Sequence, residues 1–114
     1  MSKYKAKRTT IDGITFASKA EAKRYEELKY MEMAGEIEWL ELQPVFLLHA
    51  TGFTEEGLTN IKIGKYVADF RYTDADSGRE IIEDVKGFKT PLYKWKKKHA
   101  EAEHGIEIVE ITSR

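Results

Sequence analysis

The 114-residue sequence contains no cysteine. Disulfides, thiolate zinc sites and a cysteine nucleophile are therefore excluded. No apolar run approaches the length of a bilayer span, and no secretory leader opens the chain. The expectation is a cytoplasmic protein with no membrane partner. Repeats and low-complexity stretches are also missing, and the length fits one compact domain. The histidines are few and far apart in the sequence, and His49, His99 and His104 lack metal-ligand spacing.

Two further absences concern charge. No lysine or arginine lies between Lys29 and Lys62, whereas Glu32, Glu36, Glu38, Glu41, Glu55 and Glu56 do. No carboxylate lies between Lys86 and Lys98, where Lys89, Lys94, Lys96 and Lys97 crowd together. The N-terminus adds Lys3, Lys5, Lys7 and Arg8. The net charge of -1 thus hides segregated basic segments, a pattern suited to a local polyanion-binding face. A solvated helix surface with a basic tail would give the same composition.

What is present divides into elements. Residues 1–10 read as a flexible basic segment ahead of a single domain over 11–114. Asp12-Gly13 marks a turn within Ile11–Phe16. Ser18-Lys19-Ala20-Glu21 matches a capping box, opening a helix to about Ala34 with Gly35 as its left-handed stop. Its apolar stripe is Ala22, Tyr25, Leu28 and Met31. Ile37–His49 reads as an extended segment feeding a strand at Val45–Leu48, and Thr51–Asn60 as a loop. Ile61–Thr73 reads as one long strand, turning through Asp74–Gly78 into Glu80–Lys86. Thr90-Pro91 opens a second helix ending near Gly105, and Ile106–Ile111 alternates as a last strand. In that helix Leu92, Trp95, His99 and Ala102 are expected to form the core stripe, with Lys94, Lys97 and Lys98 as a separate basic row. A helix between the last two strands implies a parallel pair. The fold class is α/β.

The chemistry concentrates at Asp69 and Asp84-Val85-Lys86. Aspartate is depleted from strands and costly to bury unpaired, yet Asp69 sits in the apolar run Tyr66–Tyr72. Strand alternation puts Asp84 and Lys86 on one face, and hairpin pairing brings Asp69 beside Asp84. Two carboxylates and an ammonium would converge. Hard oxygen ligands suit magnesium or manganese, and a metal so held polarises a phosphodiester and acidifies its water. Lys86 would orient or deprotonate that water, or neutralise the phosphate. An ordinary cross-strand ion pair is the plain alternative.

Ala68-Asp69 followed by Asp84-Val85-Lys86 resembles the PD-(D/E)XK signature of the restriction-endonuclease-like nuclease superfamily, with alanine at the nominal proline. More closely, the chain is similar to small phage and prophage proteins of that superfamily. The similarity runs through Asp12–Ala22, Leu42-Gln43-Pro44, Tyr66–Phe70 and Glu83–Phe88. The resemblance implies an αβββαβ core, a mixed sheet flanked by helices, and metal-dependent cleavage of DNA. It implies that Glu21, on the first helix, joins Asp69 and Asp84 at the metal, although Glu21 is also the capping-box partner of Ser18. Gln43 would touch substrate or water, or cap a strand end. Lys89, Lys94, Lys97 and Lys98 would bind DNA. Glu83 faces away from Asp84 unless the register slips by one residue.

The motif layout is similar to phage resolvases of the endonuclease I type. That similarity implies branched DNA such as a Holliday junction as substrate, a homodimer for symmetrical cutting, and the bacterial host cytoplasm as setting. A nicking or end-processing nuclease acting on duplex DNA is the alternative, as is a non-catalytic DNA-binding protein that keeps the fold.

Overall fold

Asp12 and Gly13 turn the chain with φ of 53° and 75°, both left-handed, as a tight hairpin requires. They join β1 (Thr9–Ile11) to β2 (Ile14–Phe16). Thr9 and Thr10 therefore belong to a strand and not to the basic tail. The computed structural model describes residues 7–112, so Lys3 and Lys5 lie outside the described residues.

Ser18 caps α1 (Lys19–Met33), its hydroxyl accepting the Glu21 N–H at 3.1 Å. Ala22, Tyr25 and Leu28 are buried as the helical spacing requires. Gly35 stops the helix at φ 79°, and the Glu36 N–H donates back to the Met31 carbonyl at 2.9 Å.

The middle of the chain departs from the sequence reading. Ile37–His49 is two strands, β3 (Ile37–Leu42) and the start of β4 (Val45–Thr54). The expected loop at Thr51–Asn60 is the outer part of a long hairpin between β4 and β5 (Gly57–Val67). Its glycines suggested a loop but serve the hairpin. Gly57 takes φ 107° at the turn, and Gly52 leaves room for Ile61, whose Cδ1 would lie 2.2 Å from an added Cβ. The expected strand Ile61–Thr73 is broken at Ala68-Asp69, and β6 (Phe70–Asp74) starts anew.

From there the two agree. β6 turns into β7 (Glu80–Lys86), α2 (Pro91–His104) begins at Thr90 and ends at left-handed Gly105, and β8 (Ile108–Thr112) follows. The main sheet has the order β3-β6-β7-β8. Its first two pairings are antiparallel and β7–β8 is parallel. Omitting the two hairpins, the succession α1, β3, β6, β7, α2, β8 is an α/β arrangement with a mixed sheet flanked by helices.

Each face of this sheet has its own core. Phe16, Ala22, Tyr25, Leu28, Ile37, Phe70 and Tyr72 pack on the α1 side. Phe46, Leu48, Tyr66, Ala68, Ile82, Ala100 and Ile108 join the β4–β5 hairpin to α2 on the other. The core stripe expected on α2 is not formed. Leu92 is 59% exposed and Trp95 75%, and small Ala100 is the buried contact. Ala100 and half-buried Tyr93 are the α2 residues packed on this core, while Leu92 and Trp95 are turned outward. Among the described residues no helix is long and apolar enough to cross a membrane.

Candidate active site

The chain changes sheets twice at one place. At Gln43-Pro44 it leaves β3 for the hairpin, and at Ala68-Asp69 it returns to β6. The two crossings are tied together, the Gln43 N–H donating to the Asp69 carbonyl at 2.9 Å and the Ala68 N–H to the Pro44 carbonyl at 3.1 Å. Exposed Gln43 holds a left-handed φ of 52°, unusual for a residue with a side chain. Asp69 replaces a ladder with point contacts. Its N–H donates to the Glu83 carbonyl at 3.0 Å, and its Oδ2 accepts the Val85 N–H at 2.7 Å. The ladder begins at Phe70 with Glu83, and Asp69, just before it, is held against β7 by its bonds to Glu83 and Val85 on either side of Asp84.

β7 alternates as required. Glu83 turns to the α1 side, where Arg24 grips both its oxygens at 2.8 and 2.7 Å and the Tyr72 hydroxyl donates to it. Glu83 is thus fully engaged, and the slipped register that would have exchanged it with Asp84 is not adopted. Asp84 faces the α2 side, is completely buried, and neither carboxylate oxygen has a hydrogen-bond partner. Burial pushes its pKa up to about 6, and the Lys86 charge and the nearby Asp69 backbone N–H, which makes its full hydrogen bond to the Glu83 carbonyl instead, work against that rise. Burial also raises Asp69, offset by the Val85 N–H and Lys86. Glu21 rises to about 7, first through burial and then through the Asp69 charge.

Glu21 therefore shares an electrostatic field with Asp69, Lys86 and Asp84 although it stands on α1. The Ser18 hydroxyl caps the helix, but a reciprocal bond from the Ser18 N–H to the Glu21 carboxylate is not made among the described residues. The carboxylate is left for the site.

Lys86 is held over the Tyr93 ring, its Nζ 4.4 Å from the centroid. The Tyr93 hydroxyl donates to Glu110 Oε2 at 2.8 Å, and Lys89 pairs with Glu110 Oε1 at 2.9 Å. Lys89, Lys94, Lys97 and Lys98 line one hollow of about 380 Å³ with Glu101 and Glu110. Lys97 pairs with Glu101 at 3.4 Å, while Lys94 and Lys98 have no ion-pair partner among the described residues. The sequence reading missed Tyr93, Glu110 and the Arg24–Tyr72 grip on Glu83. Only three-dimensional proximity singles them out.

The chain matches the model of a family described as proteins of unknown function, DUF1064, over residues 1–110. It belongs to the DUF1064 family. In this DUF1064 protein, Glu21, Asp69, Asp84 and Lys86 all fall within the matched span. No curated protein and no solved structure matches it.

Would a divalent cation fit? Among the described residues, no group of three or more acidic or histidine side chains is drawn into a preformed metal cluster. The chemistry of the donors nevertheless suits one. Two carboxylate oxygens of Asp84 are buried without a well-formed hydrogen bond, and Asp84 and its two neighbours Glu21 and Asp69 are driven toward the neutral form by burial. A hard dication would supply the missing compensation.

Proposed function

We propose that this protein is a metal-dependent endonuclease of the PD-(D/E)XK type that hydrolyses DNA phosphodiesters. The observation that carries the reading is Asp84, buried with both oxygens unpartnered in the field of Asp69, Glu21 and Lys86. Asp84, Asp69 and Glu21 would hold magnesium or manganese. When bound, the ion would polarise the scissile phosphate and acidify a water. Lys86, steadied on Tyr93, donates to the phosphate oxygen or takes the water's proton. Lys89, Lys94, Lys97 and Lys98 supply phosphate contacts that set register without reading sequence. Gln43, whose backbone N–H holds the Asp69 carbonyl, would contact the same substrate.

Branched DNA such as a Holliday junction is the substrate we favour, cut by a homodimer because paired cuts need two sites. Nicking or end processing of duplex DNA is the variant reading. The test is cleavage of junction, flap, linear duplex and single-stranded DNA with and without magnesium. Magnesium-dependent cutting that favours the junction is expected.

That no metal cluster is preformed among the described residues favours a second reading, a non-catalytic DNA-binding protein. A calorimetric magnesium titration discriminates between the two. Binding that disappears in Asp84→Asn supports the nuclease. No binding, together with no cleavage of any substrate, supports the binder.

A further inference from the structure

Indole is among the largest apolar side chains and is on average well buried, so a tryptophan turned to solvent is informative. This protein has two, Trp39 and Trp95, and both are largely exposed. Their surroundings differ. Trp39 stands in β3 between Glu38 and Glu41, where a polyanion would be repelled. Trp95 stands in α2 among Lys94, Lys96, Lys97 and Lys98.

Helical spacing sets Lys98 one turn from both Lys94 and Trp95. Lys98 borders the lysine-lined hollow beside Lys89 and Glu110, and it also borders a second hollow of about 380 Å³ with Trp95, Ala102 and Glu103. Trp95 in turn borders a groove of about 170 Å³ that Ile63, Leu92 and His99 line against the β4–β5 hairpin. Shared residues thus link the three hollows into one path round α2. The charge along it is one-sided. Its carboxylates are engaged within the protein: Glu110 with Lys89 and Tyr93, Glu101 with Lys97 and the Ile108 N–H, Glu103 with His49. Lys94, Lys96 and Lys98 have no ion-pair partner among the described residues.

A basic path that ends on a free aromatic face suits a single nucleic-acid strand, whose phosphates follow the lysines and whose unpaired bases stack. A duplex does not fit as well, because its bases are already stacked on one another. A helix with its side chains is about 10–12 Å across, and a strand advances about 3.4 Å per nucleotide. About three to five nucleotides would reach round α2 from the Tyr93 side to Trp95.

We infer that Trp95 is a stacking platform for an unpaired base of a DNA strand carried over Lys94 and Lys98. On the nuclease reading, on which this rests, the substrate then carries an unpaired segment beside the cut, as a branch or flap does. The test reads binding in EDTA, so its failure and a failure to cleave are separate results. Trp39→Phe leaves Trp95 as the sole tryptophan, and a short thymidine oligonucleotide should quench its fluorescence saturably. Trp95→Ala should weaken binding of that oligonucleotide by about tenfold, and Trp95→Phe by much less. The salt dependence should be the same in Trp95→Ala as in the wild type, because no phosphate contact is lost. An abasic strand of equal length and charge should bind wild type and Trp95→Ala equally. The circular dichroism spectrum should not change, since Trp95 lies outside both cores. Binding without quenching would overturn the inference. So would an alanine loss of equal size on the abasic strand, which would reduce Trp95 to a spacer of the lysine row. Failure of the wild type to bind any single strand would also overturn it and leave this face to a protein partner.

Discussion

A carboxylate deprived of water and of any well-formed hydrogen bond destabilises the protein that holds it, and Asp84 is in that position. Its folded pKa is raised, so the folded state binds the proton more tightly than the unfolded state. Stability from this group is therefore fully present below the unfolded value near 4 and lost as pH rises through about 6. Asp84→Asn should accordingly stabilise the metal-free protein at pH 8 by on the order of 3 kcal/mol, seen as a higher melting temperature, and change little near pH 4. Melting curves of both proteins at the two pH values check this. Equal shifts at both would remove the electrostatic cause. Glu83, one residue away, has the opposite status. Its carboxylate is as buried as that of Asp84 but gripped by Arg24 and Tyr72. Arg24→Ala strands that charge and should cost about 3 kcal/mol in denaturant unfolding. A loss below 1 kcal/mol would mean that water reaches Glu83. Glu21→Gln separates capping from chemistry. The Ser18 cap uses the Glu21 backbone N–H, which glutamine keeps. Near pH 4, where the carboxyl is largely protonated folded or unfolded, the melting temperature should hold, and at pH 8 it should rise as for Asp84 because burial raises the Glu21 pKa to about 7. The magnesium needed for half-maximal cleavage should rise several-fold, and unaltered magnesium demand would confine Glu21 to the helix.

At the scale of elements, α2 and the hairpin explain where the sequence could be read and where it could not. Caps and turns are local signals. Ser18, Gly35, Thr90, Pro91 and Gly105 mark their helix ends, and Asp12-Gly13 its turn, because each acts on the backbone beside it. That Asp69 lies against β7 at Glu83 and Val85, beside Asp84 in the chain, follows from a short hairpin and is equally legible. Trp95 and Leu92 misled, because helical spacing identifies an apolar stripe but not whether a partner in the same chain covers it. The three histidines are distant in sequence, yet the fold gathers them around Glu103. His49 Nδ1 lies 2.6 Å from one of its oxygens, and His99 and His104 Nε2 lie within 3.3 and 3.7 Å. No spacing rule foretells a contact between a hairpin and a helix fifty residues on. The basic row of α2 makes its own prediction. Lys94 and Lys98 have no ion-pair partner among the described residues, unlike Lys89 and Lys97. Replacing Lys94 and Lys98 by alanine should flatten the salt dependence of DNA binding by about two units of slope, without changing sequence preference. An unchanged slope would make that row a merely solvated surface.

In the whole molecule, one strand divides two tasks. β7 sends Glu83 to the α1 side, where it is neutralised within the protein, and Asp84 to the α2 side, where it is not. The main sheet and the hairpin meet at Gln43-Pro44 and Ala68-Asp69, which sets Asp69 against Asp84, and α1 brings Glu21 into the same field. The arrangement is costly to fold and explicable if a cation and a phosphate complete it. The most direct measurement is a single-turnover cleavage assay on a labelled four-way junction, with magnesium, using wild type, Asp84→Ala and Lys86→Ala, each verified as folded. Cleavage by the wild type alone, with junction binding retained in both variants, is the predicted result; cleavage at the wild-type rate by either variant, or none by any of the three on any DNA substrate, would contradict the account.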